Sequence, residues 1–451
     1  MSTSDTNHST KVISLFDDDR FSRFDLISWW DQSRLARARV VVVGAGALGN
    51  EIVKNLTLLG VGNIVVIDMD RIEASNLTRS VLFRARDVGR FKCEVAAERA
   101  REIWPELIIR PLPIDVINSC GAGVFRWADV VIGGLDNREA RLAINRHCFR
   151  LGVAFIDGGI ETIQGIARVF KPDPAGLAPC YECTLSRQDW ELIQQRRACS
   201  MLTRQQLLTG HTPTTPTIAS IIAGIQVQEA VRILHGMNTR SGCGLLFTGD
   251  GGAGGGSTGG GSAGQNDSAD ATFPQTFNVD YTRKPDCPAH ETISHVLEFP
   301  GRSNTTTASA VLSFAAQKMA ESNDKPISEW SIDPARDIVR ALVCPACGNS
   351  QDIFKPVGLL REGQATCPCD GKTSRRVELL GMIKLGHADA GRKLLELGFP
   401  PFEIVLLRRT LPMTEIENAA SHLIGVEISG DLNEVLGDGL AAAARESITI
   451  E

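Results

Sequence analysis

Four consecutive valines, Val40 to Val43, run directly into Gly44-Ala-Gly46-Ala-Leu-Gly49. Beyond the glycines, Ile52, Val53, Leu56 and Leu59 recur at helical spacing until Gly60 stops them. A buried strand that turns through glycines into a helix has few uses, because it aims the N-terminus of that helix, with its free N–H groups, at an anionic ligand. Short β-rich runs come next at Asn63 to Ile67, Asp129 to Ile132 and Ala154 to Ile156, separated by helical stretches. Such alternation predicts an α/β fold, a doubly wound Rossmann-like sheet. The glycine loop alone fits NAD, FAD or ATP, and Asp68, about 24 residues after Gly44, stands where such folds bind a ribose hydroxyl.

The rest of the chain divides by composition. Residues 1–38 read as a polar tail followed by a helix through Phe24 to Trp30, and residues 39–248 as the nucleotide-binding domain. A second confident helix begins at Thr215, a cap, with Pro216 in the first turn, and runs through Ile218, Ile222 and Val231 to Gly236. Gln226 and Glu229 interrupt its apolar run, so it reads as a core or dimer helix and not a membrane span. Residues 249–270 are dominated by Gly, Ser and Ala, a flexible linker spanning roughly 26 Å root-mean-square as a random coil. Residues 271–300 carry a return strand, Thr276 to Tyr281. Residues 301–451 form a small α/β appendage with a helix over Thr306 to Glu321, another near Ala390 to Leu397, and strands at Phe402 to Leu407 and Ile424 to Ile428.

With 451 residues, 43% of them hydrophobic, the chain has ample material for two or three cores. A formal charge of −6 gives no reason to expect nucleic acid. The polar start lacks a signal-peptide pattern, so the expected location is cytoplasmic, with no membrane partner. In a reducing compartment, short-spaced cysteines read as metal sites rather than disulfides.

Beyond the glycine loop the chain is unlike a redox enzyme. Ser75-Asn76-Leu-Thr-Arg79, then Gly89-Arg-Phe-Lys92, then Leu135-Asp136-Asn137 with Arg141 and Asn145, place cations and a carboxylate where a dinucleotide needs neither. Phosphoryl chemistry at ATP needs both: Arg79 and Lys92 to offset developing negative charge, and Asp136 to hold a Mg²⁺ ion. Each residue by itself has a bland explanation, surface charge for the cations and a turn for Asp136-Asn137. Their ordered joint occurrence is what points to adenylation.

At these positions residues 18 to 290 resemble the ubiquitin-activating and sulfur-carrier adenylyltransferase (ThiF-type) family, with the compact form of bacterial ubiquitin-like-protein activating enzymes. The resemblance implies that Gly44, Gly46, Gly49, Asp68, Asn76, Arg79, Lys92 and Asp136 bind Mg-ATP. It also implies that Arg23 reaches the ATP of a homodimer partner. The implied activity is adenylation of the C-terminal glycine of a ubiquitin-like β-grasp protein. Thioester formation on a cysteine and transfer to a conjugating enzyme would come after it, in some members for antiviral conjugation. Cys199, in the crossover-loop region where relatives keep the thioester cysteine, is the candidate nucleophile. A free thiol is only ~3% thiolate at neutral pH, and Arg196 and Arg197 would raise that fraction. Cys93, beside Lys92, reads instead as a buried helix residue.

The resemblance further implies that Cys180 and Cys183 share a structural Zn²⁺ with Cys287 and His290, the histidine departing from the cysteine that relatives usually have. A second Zn²⁺ is expected from spacing, Cys344-Pro-Ala-Cys347 with Cys367-Pro-Cys369, as in a zinc ribbon over residues 343–375. Three other readings stay open: a sulfur-carrier adenylyltransferase making a thiocarboxylate, an NAD(P)-dependent oxidoreductase using the same glycine loop, and a non-catalytic scaffold.

Overall fold

The computed structural model describes residues 19–173, 176–191, 214–249, 274–321, 330–409 and 423–446. Helix α1 (Gln32–Arg37) leads into β1 (Arg39–Val43), and the glycine loop then opens α2 (Ala47–Leu58). Next come β2 (Asn63–Ile67), α3 (Lys92–Ile103), β3 (Ile108–Leu112), α4 (Gly123–Trp127), β4 (Val130–Gly133), α5 (Arg138–Leu151) and β5 (Ala154–Glu161). Strands β6 (Gln164–Phe170), β7 (Cys243–Thr248) and β8 (Gln275–Asp280) finish the sheet, with α6 (Pro216–Leu234) between β6 and β7. Their order is β3-β2-β1-β4-β5-β6-β7-β8. The first five strands run parallel and the last three pair antiparallel.

Alternation along β1 explains the two layers. Val40 and Val42 face the core shared with α2, α3 and α6, whereas Val41 and Val43 face the core shared with α4 and α5. Both faces of the strand are covered, which is why it reads as an unbroken valine run instead of alternating with polar residues. Helix α6 is long and apolar enough to cross a membrane by length and composition. Here Ile218, Ile222, Val227 and Val231 are buried in the first core, as expected of a core helix. Thr215 accepts from the Ile218 N–H at 3.4 Å, and Pro216 sits in the first turn.

Strands β9 (Val296–Phe299), β10 (Trp330–Asp333), β14 (Ile404–Arg409) and β15 (Leu423–Ile428) form a second sheet in the order β10-β14-β15-β9. Helix α7 (Ala308–Glu321) covers it through Val311, Leu312 and Ala315. Between β10 and β14 in the chain, β11 (Ile338–Val343), β12 (Ser350–Pro356) and β13 (Arg376–Leu379) make a three-stranded sheet in the order β12-β11-β13, with the later cysteines in its connections. Phe402, Leu436 and Leu440 pack into the second core of the large sheet.

Two expected helices are absent. Phe24–Leu26 forms only one 3₁₀ turn. The α-helix begins after Asp31, whose carboxylate accepts from the Ser33 N–H at 3.0 Å, because Phe24 and Trp30 are drawn onto the core instead of onto a helix face. The stretch from Ala390 to Leu397 is a series of turns. There the Leu394 N–H donates to Thr306 O at 2.9 Å, and Gly398 has φ +88°. A tertiary contact takes the donor a helix would have used internally.

Candidate active site

The glycine loop takes its form from two close approaches. Gly44 has φ +92°, and a Cβ there would stand 2.5 Å from Gly134 O. A Cβ on Gly49 would lie 1.9 Å from Gly44 O. Only Gly46 faces open space, with nothing within 4 Å of a Cβ. It is the N-cap of α2, and no side chain caps that end. The first N–H groups of the helix, at the positive end of its dipole, therefore have no capping side chain. Asn50 fixes the loop from behind: its Nδ2 donates to Ala45 O at 2.7 Å and its Oδ1 accepts from the Leu82 N–H at 2.9 Å.

Asp68 lies just beyond β2, where its carboxylate accepts from the Ala45 and Asp70 N–H groups at 2.6 and 2.8 Å. Burial raises its pKa, against the pull of Lys92 and the two backbone bonds. Lys92 begins α3, its own N–H bonded to Asp70 O at 2.9 Å and its Nζ to Asp70 Oδ2 at 2.9 Å. Burial would depress this lysine, but Asp68, Asp70 and Asp136 outweigh it and raise its pKa. Three loops separated in sequence thus converge, and Lys92 is held cationic between the carboxylates that flank it.

Asp136 lies beyond the end of β4, exposed, its side chain in no hydrogen bond among the described residues and within electrostatic reach of Lys92. Asn137 caps α5, accepting from the Ala140 N–H at 2.8 Å. Asn76 and Arg79 stand in and after the 3₁₀ turn Ala74–Thr78. The Asn76 carbonyl oxygen accepts from the Glu73 N–H at 3.0 Å, and Arg79 Nη1 donates to Ser75 O at 3.0 Å. Arg79 forms no ion pair among the described residues. Arg23 is exposed beside Phe21, which packs at Gly60 beyond the far end of α2. A helix of 12 residues is about 18 Å long, so Arg23 does not join the site of its own chain. Cys199 lies outside the described residues. Cys93 is fully buried, its thiol pushed up to about 12 chiefly by burial and then by Asp68, which removes it as a nucleophile.

The two cysteine groups assemble. Cys180 Sγ stands 3.8 Å from Cys183 Sγ and 3.7 Å from Cys287 Sγ, and His290 Nε2 is 3.2 Å from Cys183 Sγ. In the second group, the Cys344–Cys369 and Cys347–Cys367 sulfurs are each 3.8 Å apart. Tetrahedral zinc with Zn–S bonds of about 2.3 Å puts sulfurs about 3.8 Å apart, so both donor sets could hold such an ion. The looser Cys367-Pro-Cys369 half is shaped like the tighter one: Gly348 and Gly371, at φ +69° and +63°, return their N–H groups to Cys344 O and Cys367 O.

Five contributors escaped the sequence reading: Asn50, Asp70, Asp157, Arg168 and Gln226. Gln226 had shown itself as an interruption of an apolar run, and its Nε2 donates to Gly133 O at 2.8 Å. Asp157 is a carboxylate inside the fifth strand, a placement that resembles Asp68 at the end of the second.

A model of the ThiF family matches residues 18–251, just over half of the chain. The SAMP-activating enzyme E1 of Haloferax volcanii is 38% identical over 168 residues, 37% of this chain and 61% of that protein. The sulfur carrier protein adenylyltransferase of Thermus thermophilus is 38% identical over 154 residues, 34% of this chain and 57% of that protein. The NEDD8-activating enzyme E1 catalytic subunit of Arabidopsis thaliana is 40% identical over 166 residues, 33% of this chain and 34% of that protein. The chain thus spans about three fifths of the first two relatives and a third of the last. Among solved structures, that of E. coli MccB with ATP aligns at TM-score 0.46 and 20% identity, over 62% of this chain and 75% of that one.

Proposed function

The chain belongs to the ThiF family, and from that premise we propose that it adenylates the C-terminal glycine of a ubiquitin-like β-grasp protein at the expense of ATP. The observation that carries this reading is the convergence of Asp68, Lys92 and Asp136 around the uncapped N-terminus of α2, with Lys92 held charged. In the reaction, a carboxylate oxygen of the glycine bonds to the α-phosphorus of ATP as the bond to pyrophosphate breaks.

The N–H groups of the α2 N-terminus receive phosphate oxygens and Asp68 the ribose, while Asn76, Arg79 and Lys92 neutralise charge that grows on the phosphates. Asp136, a free and exposed carboxylate near a cation, suits a Mg²⁺ ion, which when bound draws charge from the phosphate oxygens. Asp70 must give up Lys92 as the nucleotide arrives. Arg23 serves the neighbouring site of a homodimer. The Cys199 thiolate then attacks the acyl carbon of the adenylate, a thioester forms as the C–O bond to AMP breaks and AMP leaves, and the acyl group passes on to a conjugating enzyme thiol. Cys180, Cys183, Cys287 and His290 would hold one structural Zn²⁺ ion, and Cys344, Cys347, Cys367 and Cys369 a second.

Pyrophosphate exchange into ATP that depends on a purified β-grasp protein ending in glycine tests the first step. No exchange with any such protein, together with tight NAD binding, would overturn it in favour of a redox enzyme. A sulfur-carrier role is the second reading, favoured by equal 38% identity to the Thermus enzyme. A reducible enzyme–carrier adduct lost in Cys199→Ala supports conjugation, whereas a carrier thiocarboxylate formed without that cysteine supports sulfur transfer.

A further inference from the structure

Asp157 is completely buried, and it has no part in the nucleotide contacts assigned to the site. It lies in β5, beside β4, with Gly133 as its register partner. Two guanidinium groups meet it: Arg141 Nε forms an ion pair with Oδ1 at 2.9 Å without the alignment of a hydrogen bond, and Arg168 Nε donates to Oδ2 at 3.0 Å. Arg168 rests over the Tyr181 ring, 5.2 Å from its centre. A fully buried carboxylate is costly, and a hydrophobic replacement of such a group is often neutral or stabilising. Its presence calls for a role beyond stability.

Arg141 supplies one. Its Nη2 donates to Leu135 O at 2.6 Å and to Gly158 O at 2.8 Å. Leu135 is the residue before Asp136. The rest of that loop is pinned as closely: Gly133 O accepts from Gln226, the Gly134 N–H donates to Val43 O at 2.8 Å, and Asn137 caps α5. Among the described residues, the Asp136 side chain of this loop makes no hydrogen bond. The backbone is over-determined around one unengaged carboxylate, the arrangement expected where a ligand to a cation must be set in advance.

We propose that Asp157 is a positioning residue that orients Arg141, whose clamp on the Leu135 and Gly158 carbonyls sets the Asp136 carboxylate for a divalent cation. This rests on the reading of Asp136 as the Mg²⁺ residue. Asp157→Asn keeps the shape but removes the charge that aims Arg141. Arg141→Lys keeps a cation beside Asp157 but cannot span the two carbonyls together with it.

The test titrates Mn²⁺ against the full-length protein with a non-hydrolysable ATP analogue, following free Mn²⁺ by electron paramagnetic resonance, and repeats the Mg²⁺ dependence of pyrophosphate exchange. Losses of outer contacts to a metal ligand weaken metal affinity by about ten- to a hundredfold, and a shift of that size is expected in both variants, with the KM for the carrier protein unchanged. Folded Asp157→Asn and Arg141→Lys proteins with wild-type Mn²⁺ affinity would overturn the inference, as would failure of both to fold. Asp136→Asn separates the two levels. If it too leaves the metal requirement intact, the reading of Asp136 falls; if it weakens binding while the other two do not, only the positioning role falls.

Discussion

Two of the loop glycines respond to a methyl group in opposite ways. On Gly49 it would lie 1.9 Å from Gly44 O, backbone that cannot give way, so Gly49→Ala should lower the thermal midpoint and the yield of folded protein. On Gly46 it meets nothing within 4 Å, and Gly46→Ala should leave stability within about 0.5 kcal/mol while weakening ATP binding. Calorimetric unfolding beside isothermal titration with ATP reads both, and equal loss of stability in the two variants would contradict the assignment of that space to the nucleotide. Lys92→Met makes the complementary point about charge. Its partner Asp70 is exposed and returns to water at little cost. Folding should hold while carrier-dependent exchange falls by about 10²- to 10³-fold, the usual loss for one preorganised electrostatic contact; exchange reduced less than tenfold would place the essential cation elsewhere.

At the scale of elements, sequence patterning served best where one interaction decides the conformation. β1, β2, α2 and α6 were legible because continuous burial, helical spacing, Thr215 and Pro216 each act locally. The turn region at Ala390 to Leu397 was not, since a donor there is claimed by Thr306 from another element. The site divides the same way. Asp68 and Asp136 announce themselves by charge beyond strand ends and Lys92 by charge at the start of a helix, but Asn50 and Gln226 act through backbone groups, and Asp157 through two guanidinium groups, whose proximity only the folded chain creates. The two candidate metal groups join separate elements, the first tying the turn after β6 to the segment after β8, the second closing the β11–β12 turn on the residues before β13. Inductively coupled plasma analysis should therefore find about two zinc ions per chain, with one lost in Cys287→Ser and the other in Cys344→Ser, each independently. Loss of both from either variant would mean that the groups fold as one unit.

Across the whole molecule, the second sheet is fastened to the first by buried charge. Arg336 bonds to Glu403 and donates to Ile117, Asn118 and Cys120 carbonyls at 3.4 Å each, and Glu403 in turn accepts from the Ala122 N–H at 2.9 Å. A second fastening, Arg126 of α4 with Glu427 of β15 and Glu298 of β9, is sensitive to pH. Burial pushes Glu427 up to about 7, Glu298 adds to the rise, and Arg126 opposes it. A carboxyl raised from an ordinary 4.5 contributes its full stability below that value, where both folded and unfolded chains hold the proton. From pH 4.5 to about 7 the folded chain keeps a proton that the unfolded chain has lost, so this contribution falls as pH rises and is gone above about 7. The change amounts to roughly 3 kcal/mol over the window. Glu427→Gln cannot ionise, so its stability relative to the unsubstituted protein should climb between pH 4.5 and 7 and level off above, measured by urea unfolding at fixed ionic strength across pH 4 to 8. Two parallel stability curves would show that Glu427 titrates alike in the folded and unfolded chains, with Arg126 fully offsetting burial where the sheets join.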